Sequence, residues 1–183
     1  MKPAVAIAIS ALLLVIVSAL PSAHPQIPSG REVVASSTYV SLEPVGRGGS
    51  FQLAVVLKIR PGFHINARKP SAEYLIPTDL RANLPAGFKS VGEVCYPQGE
   101  LKTFAFSKTP LNVYQDKVVL RVPLAALSDA PLGAQHIPLK LRYQACSNEV
   151  CLPPATLDVD APVTVAASAA TSRPAHPELF PTQ

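Results

Sequence analysis

The chain has 183 residues and a formal net charge of +4 at pH 7, with three cysteines, twenty prolines and no tryptophan. Charges of both signs are interspersed, so the sequence lacks the basic stripe with aromatic partners that nucleic-acid binding requires. The length suits one domain with a single core. An odd number of cysteines leaves at least one without an intramolecular partner.

The N-terminus has the three-part layout of a secretory signal peptide. A positive start at Met1 and Lys2 precedes an uncharged apolar run over residues 4–19, and small residues follow. We assign residues 1–23 to the signal peptide, with cleavage after Ala19 or Ala23. The run is short for a membrane span, which needs about 20 apolar residues, and a retained anchor is the alternative. The sequence therefore predicts a periplasmic or secreted protein without stable membrane insertion after cleavage.

Between residues 30 and 165, apolar side chains recur at every second position, as in half-buried strands. The clearest strands are predicted at 51–60, 118–122, 136–143 and 157–163, and weaker ones at 38–42, 78–84, 88–96 and 101–106. Pro- and Gly-rich turns separate them, and no apolar repeat at helical spacing is sustained. About seven to nine short strands predict one all-β domain, an antiparallel β-sandwich with negligible helix.

The last segment, residues 166–183, is mostly Ala, Ser, Thr and Pro in loose order. Such a composition offers little apolar surface to offset the entropy lost on ordering. We therefore predict a disordered tail.

The segment around Cys146 and Cys151 is the most informative in the chain. A predicted strand leads in with Tyr143 on its buried face, and a short polar loop then separates the two cysteines. Facing strand ends in a hairpin bring cysteine Cα atoms to roughly 5.5–6 Å, the usual disulfide separation. From the residues alone, a structural staple and a redox-active pair both remain open.

Residues 143–154, Tyr-Gln-Ala-Cys-Ser-Asn-Glu-Val-Cys-Leu-Pro-Pro, resemble a motif of one known family. It is the Tyr-Gln-x-Cys…Cys-x-Pro-Pro motif of the N-terminal periplasmic domain of the thiol:disulfide interchange protein DsbD. Weaker similarities at 62–66 and 74–78 extend the resemblance over 33–165. The sequence departs from the family in its cysteine spacing and in Leu152, which stands where an aromatic residue is usual.

The resemblance implies an immunoglobulin-like sandwich that takes electrons from a membrane partner and passes them to oxidised periplasmic thioredoxin-like proteins. It makes Cys146 and Cys151 the working pair, with Cys151 exchanging with partners, and requires no cofactor. Phe104 and Phe106 become candidates for an aromatic cap, with ordinary strand packing as the alternative, and Tyr143 a further contact residue. The membrane electron donor is expected to be a separate protein, and a protein-disulfide reductase activity stays an open question.

Two other functions remain as alternatives. One is a non-enzymatic binding module whose disulfide only pins a loop. The other is a periplasmic copper- or zinc-handling protein, because His64, Cys95, Cys146 and Cys151 offer soft donors. The chain has no short zinc-type ligand spacing, so no metal site is predicted. Cys95 is expected to be a buried, inert thiol, and His64 a structural residue of the turn after Pro61.

Overall fold

The structure is a computed structural model that describes residues 27–181, and the predicted signal peptide lies outside these residues. Within the described part of the chain, the only helical elements are three 3₁₀ turns, at Gly30–Glu32, Ala169–Thr171 and Pro177–Leu179. No helix there is both long and apolar enough to cross a membrane.

Strands account for the rest of the regular structure, which confirms the all-β prediction. In chain order they are β1 (Val34–Val40), β2 (Leu42–Glu43), β3 (Val45–Gly46), β4 (Ser50–Ile59), β5 (His64–Asn66), β6 (Asp79–Ala82), β7 (Phe88–Ser90), β8 (Glu100–Lys102), β9 (Leu111–Tyr114), β10 (Lys117–Ala126), β11 (Gly133–Tyr143), β12 (Ala145–Cys146), β13 (Ala155–Ala166) and β14 (Arg173–Pro174).

Two four-stranded sheets form an immunoglobulin-like sandwich. One has the order β1-β4-β10-β7 and the other the order β3-β13-β11-β6. Every pairing in them is antiparallel except β3 with β13. Apolar side chains from both sheets form the main core. The alternation predicted for β4 is confirmed, because Phe51, Leu53, Val55, Leu57 and Ile59 are all buried while Gln52 and Lys58 are exposed.

A third sheet, in the order β12-β5-β9-β8, holds the cysteine segment. Its strands β5 and β9 were not predicted. All three residues of β5 are buried, so β5 has no alternation to detect. Gly62 adopts a φ of 82° in the turn before it, a conformation that glycine takes without steric cost. The strand predicted at 101–106 ends at Lys102, and the chain continues to Leu111 through irregular turns.

The C-terminal segment folds back onto the sandwich, whereas its composition predicts disorder from residue 166. Strand β14 pairs with β2, and Leu179 is buried against Ala54 and Val56 on the outer face of β4. The Nε of Arg121 donates a hydrogen bond of 2.6 Å to the Leu179 carbonyl. The segment is ordered because β4 is apolar on both faces, and its outer apolar strip needs a cover that composition alone does not reveal.

Cys95 is exposed and free, which overturns the expectation of a buried thiol. Its backbone forms a two-way bridge with Arg121, through hydrogen bonds of 2.7 and 3.0 Å. Its neighbours Val94 and Tyr96 pack against the main core. Since side chains alternate along an extended chain, the thiol between them points to solvent.

Candidate redox site

Cys146 and Cys151 are joined by a disulfide, with 3.9 Å between their Cα atoms. The two residues face each other in an antiparallel bridge. The flanking hydrogen bonds run from Ser147 N to Val150 O and from Leu152 N to Ala145 O, both at 2.8 Å. The cysteines therefore occupy a non-hydrogen-bonded pair, the position at which antiparallel strands approach most closely.

The loop between the cysteines is closed by the side chain of Ser147. Its hydroxyl oxygen accepts hydrogen bonds from the backbone N–H groups of Glu149 and Val150, both at 3.1 Å. Ser-type side chains commonly stabilise turns in this way. The loop therefore holds itself in shape without help from the core.

The two sulfur-bearing residues differ in access. Cys146 is completely buried, whereas Cys151 is partly exposed. Val150, directly before Cys151, has 42% of its surface exposed, while Leu152 after it is buried. An approaching molecule therefore meets Cys151 first.

His64 lies directly across the strand pair from Cys146, because β12 and β5 pair Cys146 with His64 and Ala145 with Ile65. The side chain is only 1% exposed, and its Nε2 has no hydrogen-bond partner. Burial lowers the pKa of His64 to about 4, so the imidazole is neutral at neutral pH. His64 is thus a buried strand residue beside the disulfide and not the turn residue expected from Pro61-Gly62.

Phe104 and Phe106 stack on His64 in nearly parallel planes. The Phe104 ring lies 3.9 Å from the His64 ring, centroid to centroid, and the Phe106 ring lies 5.5 Å from that of Phe104. Phe104 is buried with Leu111 and Val113 in a small second core, whereas Phe106 is 41% exposed. Both lie in the irregular segment after β8, so neither packs as part of a strand.

Tyr143 lies in the main core, on the buried face of β11 as the alternation predicts. Its hydroxyl donates a hydrogen bond of 2.7 Å to the carbonyl oxygen of Gly30. Burial raises the pKa of Tyr143 to about 12. A side chain with no exposed surface does not contact a partner in this conformation. Tyr143 therefore packs in the core beneath the cysteine segment and does not form part of a contact surface.

The sequence model of the family described as "Thiol:disulfide interchange protein DsbD, N-terminal" matches residues 31–162. The match spans well over half of the chain. The protein belongs to the DsbD N-terminal family.

Two solved structures with low sequence identity are similar to this chain. The DsbD N-terminal domain of Neisseria meningitidis, in the reduced form, is 19% identical with a TM-score of 0.46, over 75% of this chain and 90% of that one. The N-terminal periplasmic domain of ScsB from Proteus mirabilis is 16% identical with a TM-score of 0.45, over 70% of this chain and 46% of that one. No curated protein matches the chain.

Polar residues within the segments that resemble the DsbD N-terminal family tie those segments together. Thr78 donates a hydrogen bond of 2.6 Å to the backbone oxygen of Asn66, and the Asn66 amide donates one of 3.0 Å to Ile76. The Gln144 side chain accepts from Ile76 N at 3.4 Å and donates to Leu152 O at 3.3 Å. These contacts were not predicted, although the His-x-Asn and Tyr-Gln patterns were visible. They attach the disulfide-bearing hairpin to the loop that contains Ile76.

The structure does not assemble the four soft donors of the copper- or zinc-handling alternative. Among residues 27–181, no group of three or more His, Cys, Asp and Glu side chains is placed to hold a metal ion. Cys95 bridges to Arg121 of β10, whereas His64 pairs with Cys146 in the third sheet.

Proposed function

We propose that this protein is an exported thiol–disulfide exchange protein that passes electrons through Cys146 and Cys151 to oxidised thioredoxin-like proteins. The observation that carries the proposal is the disulfide itself, which has one buried and one accessible end, in a chain of the DsbD N-terminal family. A location in the periplasm follows from the predicted signal peptide and is part of the proposal.

The exchange begins with the protein in its dithiol form. The Cys151 thiolate attacks one sulfur of the partner's disulfide, forms a mixed disulfide and releases the partner's other sulfur as a thiolate. Cys146 then attacks the sulfur of Cys151, which restores the intramolecular disulfide and frees the partner as a dithiol. Two electrons pass to the partner, and a membrane-bound dithiol reductase returns two electrons by the reverse sequence.

The difference in burial supports this division of labour, because access is one determinant of which sulfur reacts first. Cys151 is partly exposed at the end of the polar loop, while Cys146 is buried beside His64. The aromatic stack of Phe104 and Phe106 on His64, the residue opposite Cys146, supports a role as a cap over the pair.

Single-cysteine variants test the proposal. We use the Cys95→Ser background, because Cys95 is an exposed free thiol that would also react. The probe is a thioredoxin-like protein with only its exposed active-site cysteine, activated as a mixed disulfide with thionitrobenzoate. Cys146→Ala should displace thionitrobenzoate and accumulate a stable covalent complex, since its resolving cysteine is gone. Cys151→Ala should form little complex.

The opposite pattern would reverse the assignment of the two cysteines. If neither variant forms a complex, the disulfide is structural and does not exchange with partners. The reduction potential gives an independent check, because structural disulfides typically lie below about −300 mV and exchanging ones are more oxidising.

A further inference from the structure

We propose that His64 is the general base that takes the proton of the Cys146 thiol when Cys146 resolves the mixed disulfide. The inference deepens the proposed function and rests on it. It assigns a chemical role to the buried imidazole of His64, which lies across the strand pair from Cys146.

The strand register places the two groups side by side. Cys146 and His64 are directly opposed residues of the antiparallel pair β12 and β5, and side chains of such a pair lie on the same face with Cβ atoms about 4.5–5.5 Å apart. Phe104 stacks on the imidazole at 3.9 Å. The ring is therefore packed in place on the same face of the strand pair as the Cys146 side chain.

The Nε2 of His64 is buried without a hydrogen-bond partner, and a buried polar atom left unpaired destabilises a fold. The structure contains the disulfide form, in which the Cys146 sulfur carries no proton. Reduction creates a thiol at this position, and a thiol is a donor to a neutral imidazole nitrogen. The partner that Nε2 lacks is thus supplied by the reduced state of the site.

The imidazole is in the form that accepts a proton. Burial lowers the pKa of His64 to about 4 in the disulfide form, so the ring is neutral at pH 7, although it is a weaker base than an exposed histidine. The charged or titratable groups on the surrounding elements are Tyr114 of β9, Glu100 and Lys102 of β8, Glu149 of the cysteine loop and Lys108 after the phenylalanines, since the disulfide-bonded cysteines do not titrate. None of these contributes to the shift.

The resolving step transfers one proton and exchanges one disulfide bond for another. The Cys146 proton moves to Nε2, and the Cys146 sulfur forms a bond with the Cys151 sulfur while the bond between Cys151 and the partner breaks. The partner leaves as a thiolate and takes up the proton that His64 returns. His64 ends the step neutral, beside the restored disulfide. A buried thiol otherwise keeps a raised pKa and a small thiolate fraction.

Two rates test the inference in the Cys95→Ser background with the same activated thioredoxin-like probe. Release of thionitrobenzoate reports attack by Cys151, and decay of the mixed disulfide reports resolution by Cys146. His64→Phe keeps a flat ring against Phe104 but accepts no proton. We expect this substitution to change the rate of attack by less than about two-fold and to slow the rate of resolution at least about 10-fold at pH 7. The pH profile of the resolution rate should move to higher pH.

The control is His136→Gln. His136 is an exposed histidine of β11 that pairs with Asp160 of β13, in a different sheet from His64, so this substitution should change neither rate. His64→Gln is a second variant, whose amide forms hydrogen bonds without accepting a proton, and it should slow resolution as His64→Phe does. Unchanged resolution in either folded His64 variant would overturn the inference. If Cys146→Ala forms no complex at all, the proposed function fails instead.

A spectroscopic measurement tests the unsubstituted site. In ¹⁵N-histidine-labelled protein, the His64 Nε2 signal of the disulfide form should stay constant from about pH 6 upwards, because its pKa is about 4. In the dithiol form the signal should move and titrate together with the Cys146 thiol. Identical Nε2 signals in both redox states would overturn the inference even if a substituted protein fails to fold.

Discussion

His64 titrates near pH 6.5 in an unfolded chain, but burial holds its pKa at about 4 in the folded protein. Between these two values the unfolded state binds more protons than the folded state. The free energy of unfolding therefore falls as the pH is lowered from 6.5 towards 4. The stabilising contribution of the neutral imidazole is fully present above pH 6.5.

We expect the free energy of unfolding of the disulfide form to drop by about 2 kcal/mol between pH 7 and pH 5 because of His64 alone. Urea denaturation at the two pH values measures the drop, and most carboxyl groups titrate below this window. His64→Phe should remove the dependence, while His136→Gln should retain it. An equal drop in the His64→Phe protein would mean that another group is responsible.

At the scale of the element, the segment between β8 and β9 has two different surfaces. Phe104 is buried in the second core, and Phe106 lies over it with 41% of its surface exposed. Truncating a buried phenylalanine typically costs about 3–5 kcal/mol, whereas an exposed one costs little. A substitution at Phe106 therefore tests whether the segment shields the disulfide, and a substitution at Phe104 tests how much its packing stabilises the fold.

If the two rings cap the site, replacing both with Ala should speed alkylation of the reduced pair by a small reagent in the Cys95→Ser background. Phe106→Ala alone should also speed the reaction, with little change in thermal stability. Leu101→Ala, which removes a 70% exposed side chain from β8, is the matched control and should have no effect on the rate. An unchanged rate in the double variant would reduce the role of the two rings to packing.

At the scale of the whole molecule, the C-terminal segment acts as a cover for the sheet that contains β1, β4 and β10. Leu179 buries Ala54 and Val56, and Tyr39, Val119 and Phe180 pack around them. At the other end of the segment, the backbone of Ala169 lies so close to Gly46 that the glycine has no room for a side chain. Both ends of the C-terminal segment therefore pack closely against the sandwich.

We expect Leu179→Ala to lower the free energy of unfolding by about 2 kcal/mol, the low end for a buried leucine, as measured by urea denaturation of the disulfide form. Glu178→Ala changes the exposed neighbouring residue and should have an effect within about 0.5 kcal/mol. Equal, negligible effects of the two substitutions would favour the disordered tail that composition predicts.

Sequence alone was sufficient for the parts of the fold whose signal is local. The strands β4, β10, β11 and β13 were predictable because each is long and turns a large apolar side chain to the core at every second position, which gives a period of two. The cysteine segment was recognisable because its residues are contiguous. The pairing of Cys146 with Cys151 needs only a short loop between two strand ends.

The rest of the site depended on contacts between distant parts of the chain. His64 and Cys146 become neighbours only through the register of β5 against β12, and a three-residue strand buried throughout has no periodic signal. The exposure of Cys95 and the ordering of the C-terminal segment were likewise set by what packs against them. Burial is a property of the assembled sheets, so the access of each sulfur and the neutral state of His64 were decided by the tertiary structure alone.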